Sequence, residues 1–152
     1  MIQRSYPAIQ TRRCTGRGSS SRIEGAVRPV DQTAYGRDDG NCLSACVASI
    51  LEIPIECVPL FLGTDWQACI LRWLVGQGLS ASLYRSSDHV PRGYSIAAGP
   101  SKRFAGRMHA CVALDGIVVH DPHFSREGLP YGIAEYLVIH GTAREVLWFS
   151  SA

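Results

Sequence analysis

Four residues far apart in the chain are of the types that acyl-transfer chemistry uses: Gln32, Cys42, His109 and Asp121. Cys42 stands in the run Gly40-Asn41-Cys42-Leu43-Ser44-Ala45-Cys46-Val47-Ala48-Ser49-Ile50-Leu51, where a turn signal passes straight into an apolar helical stretch. That puts a thiol on the first turn of a predicted buried helix. Unpaired backbone N–H groups and the positive end of the helix dipole favour a thiolate there. A nucleophilic thiol also needs a base within hydrogen-bond reach, and the base needs a group to hold its ring. His109 and Asp121 are the candidates for these two parts, because they bracket a predicted hairpin.

Strand parity tests that pairing. A two-residue turn at Asp115-Gly116 pairs Ala110 with Asp121 and turns His109 to the opposite face. A three-residue loop, Leu114-Asp115-Gly116 with a G1 bulge, pairs His109 directly with Asp121. The chemical reading therefore requires the longer loop or an equivalent bulge elsewhere.

The elements that must carry these residues follow from periodicity. A helix is predicted over about 41–52, with Leu43, Val47, Ile50 and Leu51 recurring at helical spacing and Pro54 ending it. A connector over 53–61 leads to a second helix from Thr64, where Thr64 and Gln67 have capping-box spacing. Trp66, Ile70, Trp73 and Leu74 form its apolar stripe, which reads as core, and Gly78 is placed to stop it. The period then changes to two. Strands are predicted over 79–84, 94–98, 109–113, 117–120, 135–139 and 146–149, with loops over 99–107 and 122–132. Helices first and an antiparallel sheet afterwards make an α+β domain.

The 152 residues suit one domain with its own core. The net charge of +2 is small enough that overall electrostatics name no partner. The charge is unevenly spread: residues 1–28 hold six arginines against Glu24 alone. This Gly/Ser/Arg segment reads as a disordered or loosely attached basic arm ahead of a folded domain over 29–152. Nucleic-acid binding would have to run through the arm, since the folded part lacks a basic stripe and Lys102, Arg103 and Arg107 are its only close cluster. No apolar run approaches the roughly 18 residues of a membrane span, and no secretory signal opens the chain, so a cytoplasmic setting is expected. The six cysteines (14, 42, 46, 57, 69 and 111) are irregularly spaced, and reduced, mostly buried thiols are expected rather than a disulfide framework.

With these residues in order, the chain resembles the papain-like cysteine peptidases: Gln32, then Gly40-Asn41-Cys42 opening a helix, then His109 heading a strand and Asp121-Pro122 closing the next. The Asp-Pro ending is most similar to the leader peptidases that process bacteriocins. Gly99-Pro100-Ser101, His109-Ala110-Cys111-Val112 and His120-Asp121-Pro122-His123 look like a group of small phage and bacterial proteins of that superfamily. The resemblance covers about residues 30–130 and implies a papain-like fold, helices packed on an antiparallel sheet. It implies Cys42 as nucleophile, His109 as general base and then acid, and Asp121 as the group orienting the ring. Gln32 would help the Cys42 backbone N–H stabilise an oxyanion. The glutamine of papain-like enzymes stands closer to the cysteine than the ten residues separating Gln32 from Cys42 here, and Asn41 is the alternative donor.

The implied activity is cleavage of an amide or isopeptide bond in a peptide or protein, with no cofactor and no metal. The same machinery can deamidate glutamine or transfer the acyl group to an amine. Two rival readings use the same residues differently. A non-catalytic binding protein would keep the fold with ordinary thiols, and His120 and His123 with Cys42 and Cys46 would be the donors of a metal site. Cys46, one turn beyond Cys42, reads as a structural cysteine.

Overall fold

A computed structural model describes residues 27–141 of the chain. The predicted basic arm, apart from Val27 and Arg28, and the strand predicted over 146–149 lie outside the described residues. The domain division at residue 29 is therefore not addressed by the fold.

The apolar run after Asn41 forms helix α1 (Cys42–Leu51), in which every residue from Ser44 to Ile50 is buried. The helix ends at Glu52, which takes a left-handed conformation (φ 56°) and returns its N–H to Ala48 O. The chain is thus already out of the helix two residues ahead of Pro54, whose ring cannot be accommodated in one. After a short 3-10 turn (Ile55–Cys57), helix α2 runs over Trp66–Gly76. Its N-cap falls one residue later than the capping-box spacing predicts. Asp65 is its N-cap and makes no side-chain cap hydrogen bond, so Thr64 and Gln67 do not form the box. The buried side chains of α2 are Ile70 and Leu74, as the stripe requires.

Five strands form one sheet: β1 (Ser80–Arg85), β2 (Tyr94–Pro100), β3 (Met108–Leu114), β4 (Ile117–His120) and β5 (Glu135–His140). Their order is β1-β5-β2-β3-β4, and every pairing is antiparallel, so the architecture is α+β. Both helices pack on one face, where Cys46, Val47, Ile50, Ile70 and Leu74 meet Ile96, Ala110, Val112, Leu137 and Ile139. Each large aliphatic side chain in this layer contributes about 1.5–3 kcal/mol by leaving water. The opposite face carries a smaller cluster of Ala97, Ala113 and Tyr136, covered by Leu129 and Ile133 of the β4–β5 loop. β3 is consequently buried on both faces from His109 to Ala113.

The β3–β4 hairpin has the two-residue turn. Leu114 pairs with Ile117, and Asp115 and Gly116 both have positive φ (51° and 81°), the signature of a type I′ turn. Taken alone, that turn would separate His109 from Asp121. The register then shifts: Ala113 pairs with Val118 but Val112 pairs with His120, leaving Val119 as an extra residue in β4. Continuing beyond this bulge sets Cys111 opposite Asp121, so His109, Cys111 and Asp121 share a face. The three-residue loop does not occur, and the bulge takes its place.

Gly99, paired with His109 across β2 and β3, is fixed by a close approach. A Cβ there would lie 2.1 Å from Gly132 O. The loop 101–107 is then closed by Ser101 N–H donating to Arg107 O at 2.8 Å and Phe104 N–H donating to Ser101 Oγ at 3.2 Å.

Cys42, Cys46, Cys69 and Cys111 are free, as expected for reduced thiols. Cys57 is disulfide-bonded and corrects that expectation. A bridge depends on two Cα atoms coming within about 7 Å, which chain path decides and irregular cysteine spacing does not reveal. Among the described residues no helix is long and apolar enough to cross a membrane.

Candidate active site

The start of α1 abuts the start of β3. Cys42 Sγ accepts from the backbone N–H groups of Leu43, on the first helical turn, and Ala110, the second residue past the start of β3. It also interacts with the His109 ring. His109 Nε2 donates to Asp121 Oδ1 at 2.7 Å, with both residues buried. With Nε2 so engaged, Nδ1 is the ring nitrogen left for a sulfur. Sulfur, imidazole and carboxylate therefore stand in sequence, assembled from a helix start, a strand start and a strand end.

Asp121 is held from three sides. Besides the His109 contact, its Oδ1 accepts from His123 N–H at 2.9 Å and its Oδ2 from Gly128 N–H at 2.8 Å. Burial alone would raise its pKa, but the imidazole and these two N–H groups bring it down to about 2. His109 shows the reciprocal effect. Burial pulls it down, yet Asp121, Cys111 and Cys42 raise it to about 11. Burial would raise the Cys42 thiol, and His109 with the two backbone N–H groups outweighs it, so the thiol is held below its ordinary value. Cys46 behaves oppositely: it is sealed in the core and burial pushes it well up, as a structural cysteine should be.

Gln32 is buried and brought to the site by the segment before α1. Its N–H donates to Pro122 O at 3.0 Å, Asp31 forms a two-pronged ion pair with Arg126 (2.5 and 2.7 Å), and Arg126 also donates to Asp121 O. The Gln32 side-chain Nε2 donates to Ala34 O at 2.7 Å, and its Oε1 is buried without a partner. One N–H of that amide remains for a ligand. Asn41, the alternative donor, also keeps one amide N–H, but it does not line the cleft that Gln32 and Cys42 share. Its Oδ1 accepts from the N–H groups of Thr33 and Ala34, both at 3.0 Å, and its Nδ2 donates to Thr33 Oγ1 at 2.9 Å. Asn41 instead fastens the Gln32 segment to the head of α1. The Cys42 N–H precedes the first helical bond, from Ala45 N–H to Asn41 O, and so has no partner within the helix.

Cys42, His109 and Gln32 line one cleft of about 450 Å³. Its walls come from the 35–40 loop, the 61–66 segment and the 101–107 loop. Trp73 is core, packed edge-on against Phe61 at 5.9 Å, but Trp66, also read as core, lines the cleft as well. His123 is the cleft residue that reading by motif missed as a donor. It is buried, its ring lies edge-on to His109 at 6.3 Å, and its Nδ1 accepts from Ser125 N–H at 3.0 Å. Burial, with Arg103 nearby, shifts its pKa down from the ordinary histidine value, and the N–H that Ser125 donates to Nδ1 leaves Nε2 to carry the proton of the neutral ring. The signal for it was the His-x-Ser spacing, which is a turn pattern before it is a functional one.

The metal donors suggested by sequence do not gather. His120 Nε2 faces Val30 O at 3.1 Å and Asp31 Oδ1 at 3.3 Å, the His123 Nδ1 is taken, and Cys46 lies in the core. A different set does: a His109 nitrogen, Cys111 Sγ and an Asp121 oxygen lie within 4.8 Å of one another. The 2.7 Å contact between His109 and Asp121 is a hydrogen bond, whereas ligands of a tetrahedral zinc stand about 3.3 Å or more apart. No protein-family model, no curated protein and no solved structure matches the chain.

Proposed function

We propose that the chain is a papain-like thiol hydrolase that cleaves an amide or isopeptide bond in a peptide or protein. The observation that carries the reading is the Asp121–His109–Cys42 series with its thiol held low and its imidazole held high. The helix-start cysteine beside a strand-start histidine supports the papain-like assignment in the same way.

Such a site works by covalent catalysis. The Cys42 thiolate attacks the carbonyl carbon, a C–S bond forms, and the carbonyl electron pair moves to oxygen. The Cys42 N–H and the remaining N–H of Gln32 are the donors available to that oxyanion. Collapse expels the amine, which takes the proton from His109 Nδ1 and leaves a thioester. Water then attacks the thioester while His109 accepts its proton. The C–S bond breaks, giving the carboxylic product and restoring the imidazolium–thiolate pair. Asp121 stays ionised throughout, fixing the ring and stabilising its cationic form.

Alkylation with iodoacetamide at pH 6, followed by mass mapping, tests the reading. Cys69, half-buried and outside the site, is the internal reference. Cys42 is expected to react at least about tenfold faster than Cys69, and His109→Ala to remove the difference. Equal rates at the two cysteines, or a preference untouched by His109→Ala, would leave only a scaffold.

A further inference from the structure

The cleft is lopsided in charge. Arg37, Arg103 and Arg107 line it, and among the described residues no aspartate or glutamate does. Two of these arginines are partly neutralised from outside the lining: Arg107 pairs with Asp38, and Arg103 lies 3.6 Å from Glu127. Glu127 is shared, since Lys102 Nζ donates to it at 3.1 Å. Arg37 has no ion-pair partner among the described residues. His123, also in the lining, is shifted toward the neutral ring by burial and by Arg103, so the guanidinium groups are the permanent charges that the cleft adds to His109. The other wall is apolar, with Leu62 and Trp66 facing the cleft. Arginine forks suit carboxylates, and a concave wall focuses their field on a small volume.

We infer that the cleft takes an acidic peptide segment, with carboxylate side chains against Arg37, Arg103 and Arg107 and an apolar residue against Leu62 and Trp66. This rests on Cys42 being the nucleophile of the cleft, and it adds the substrate class.

Two small alkylating reagents of nearly equal size isolate the charge. Iodoacetate carries a carboxylate beside the reacting carbon, and iodoacetamide carries a neutral amide there. The readout is the ratio of their rates at Cys42, mapped by mass. His109 attracts the anion in every variant, so changes in the ratio report the arginines. Each charge near the cleft is worth about twofold through water, so the triple variant Arg37→Gln/Arg103→Gln/Arg107→Gln is expected to lower the ratio about five- to tenfold. Raising the salt to about 1 M should shrink the parent's ratio toward that of the variant. Should the triple variant fold poorly, Asp38→Asn/Glu127→Gln in the intact protein frees Arg107 and Arg103 and is expected to raise the ratio about two- to fourfold.

A ratio that stays within twofold of the parent in both variants overturns the acidic-peptide inference. In that event preferential labelling of Cys42 would persist, whereas failure of the hydrolase reading would abolish the preference for both reagents alike.

Discussion

At the residue scale the decisive feature is a carboxylate that does two jobs. Asp121 orients His109 and also ties down its own loop through the N–H groups of His123 and Gly128. Its stability contribution has a definite pH window. A carboxylate brought down to about 2 contributes stability that is present above its unfolded value near 3.8 and lost as the pH falls through about 2. An imidazole raised to about 11 contributes stability that is full below its unfolded value near 6.5 and lost as the pH climbs through about 11. The pair is thus most stabilising between about pH 4 and 6.5. Asp121→Ala is expected to cost about 3 kcal/mol there, as removal of one partner of a buried pair does. Denaturant titrations of parent and variant at pH 2, 5.5 and 11 would check it, with the largest gap at pH 5.5. A gap independent of pH would mean that Asp121 acts through its loop alone.

At the scale of elements the site depends on how an edge strand absorbs one extra residue. The turn at Asp115-Gly116 is ideal for a hairpin, yet by itself it would put Asp121 on the face away from His109. Setting Val119 aside in the bulge corrects the parity, and its half-exposed side chain contributes little to the core. Deleting Val119 should therefore restore a flush ladder in which Ala113 still pairs with Val118 and Val112 with His120, so that Asp121 keeps the face it shares with His109. The expected result is a folded protein, with a near-parental circular dichroism spectrum, in which iodoacetamide still prefers Cys42 to Cys69. Loss of that preference in the folded variant would show that the bulge does more than set the face shown by Asp121.

At the scale of the whole molecule, two helices on one sheet face leave the other face to hold His109 and Asp121 under the 121–133 loop. Only the head of α1 reaches around to the start of β3, so core and site meet at one corner. Leu74, fully buried at the far end of α2, should therefore be a stability residue and nothing more. Leu74→Ala is expected to lower unfolding free energy by about 2–5 kcal/mol, measured by urea titration, while folded molecules keep selective alkylation at Cys42. Loss of selectivity at temperatures where the variant is still folded would mean that core packing sets the Cys42–His109 geometry more tightly than the contacts suggest.

Much of this could be read from the chain. Helical spacing of Leu43, Val47 and Ile50, the change to period two after Gly78, and Asp115-Gly116 between apolar runs fix α1, α2 and the hairpin, because those signals are local. The residue types at 32, 42, 109 and 121 are likewise visible, and the cleft brings Gln32, Cys42 and His109 together beside an Asp121 that holds the ring. What lay beyond local pattern needed tertiary contacts. Asn41 became a fastener because Thr33 and Ala34 lie against its oxygen, and Cys57 found a disulfide that no spacing announces. The bulge at Val119 belongs to the same class. A strand's own residues set which of them are apolar, but its register is set by the partner strand and the layers packed on it, so the face shown by Asp121 was decided only in the folded sheet.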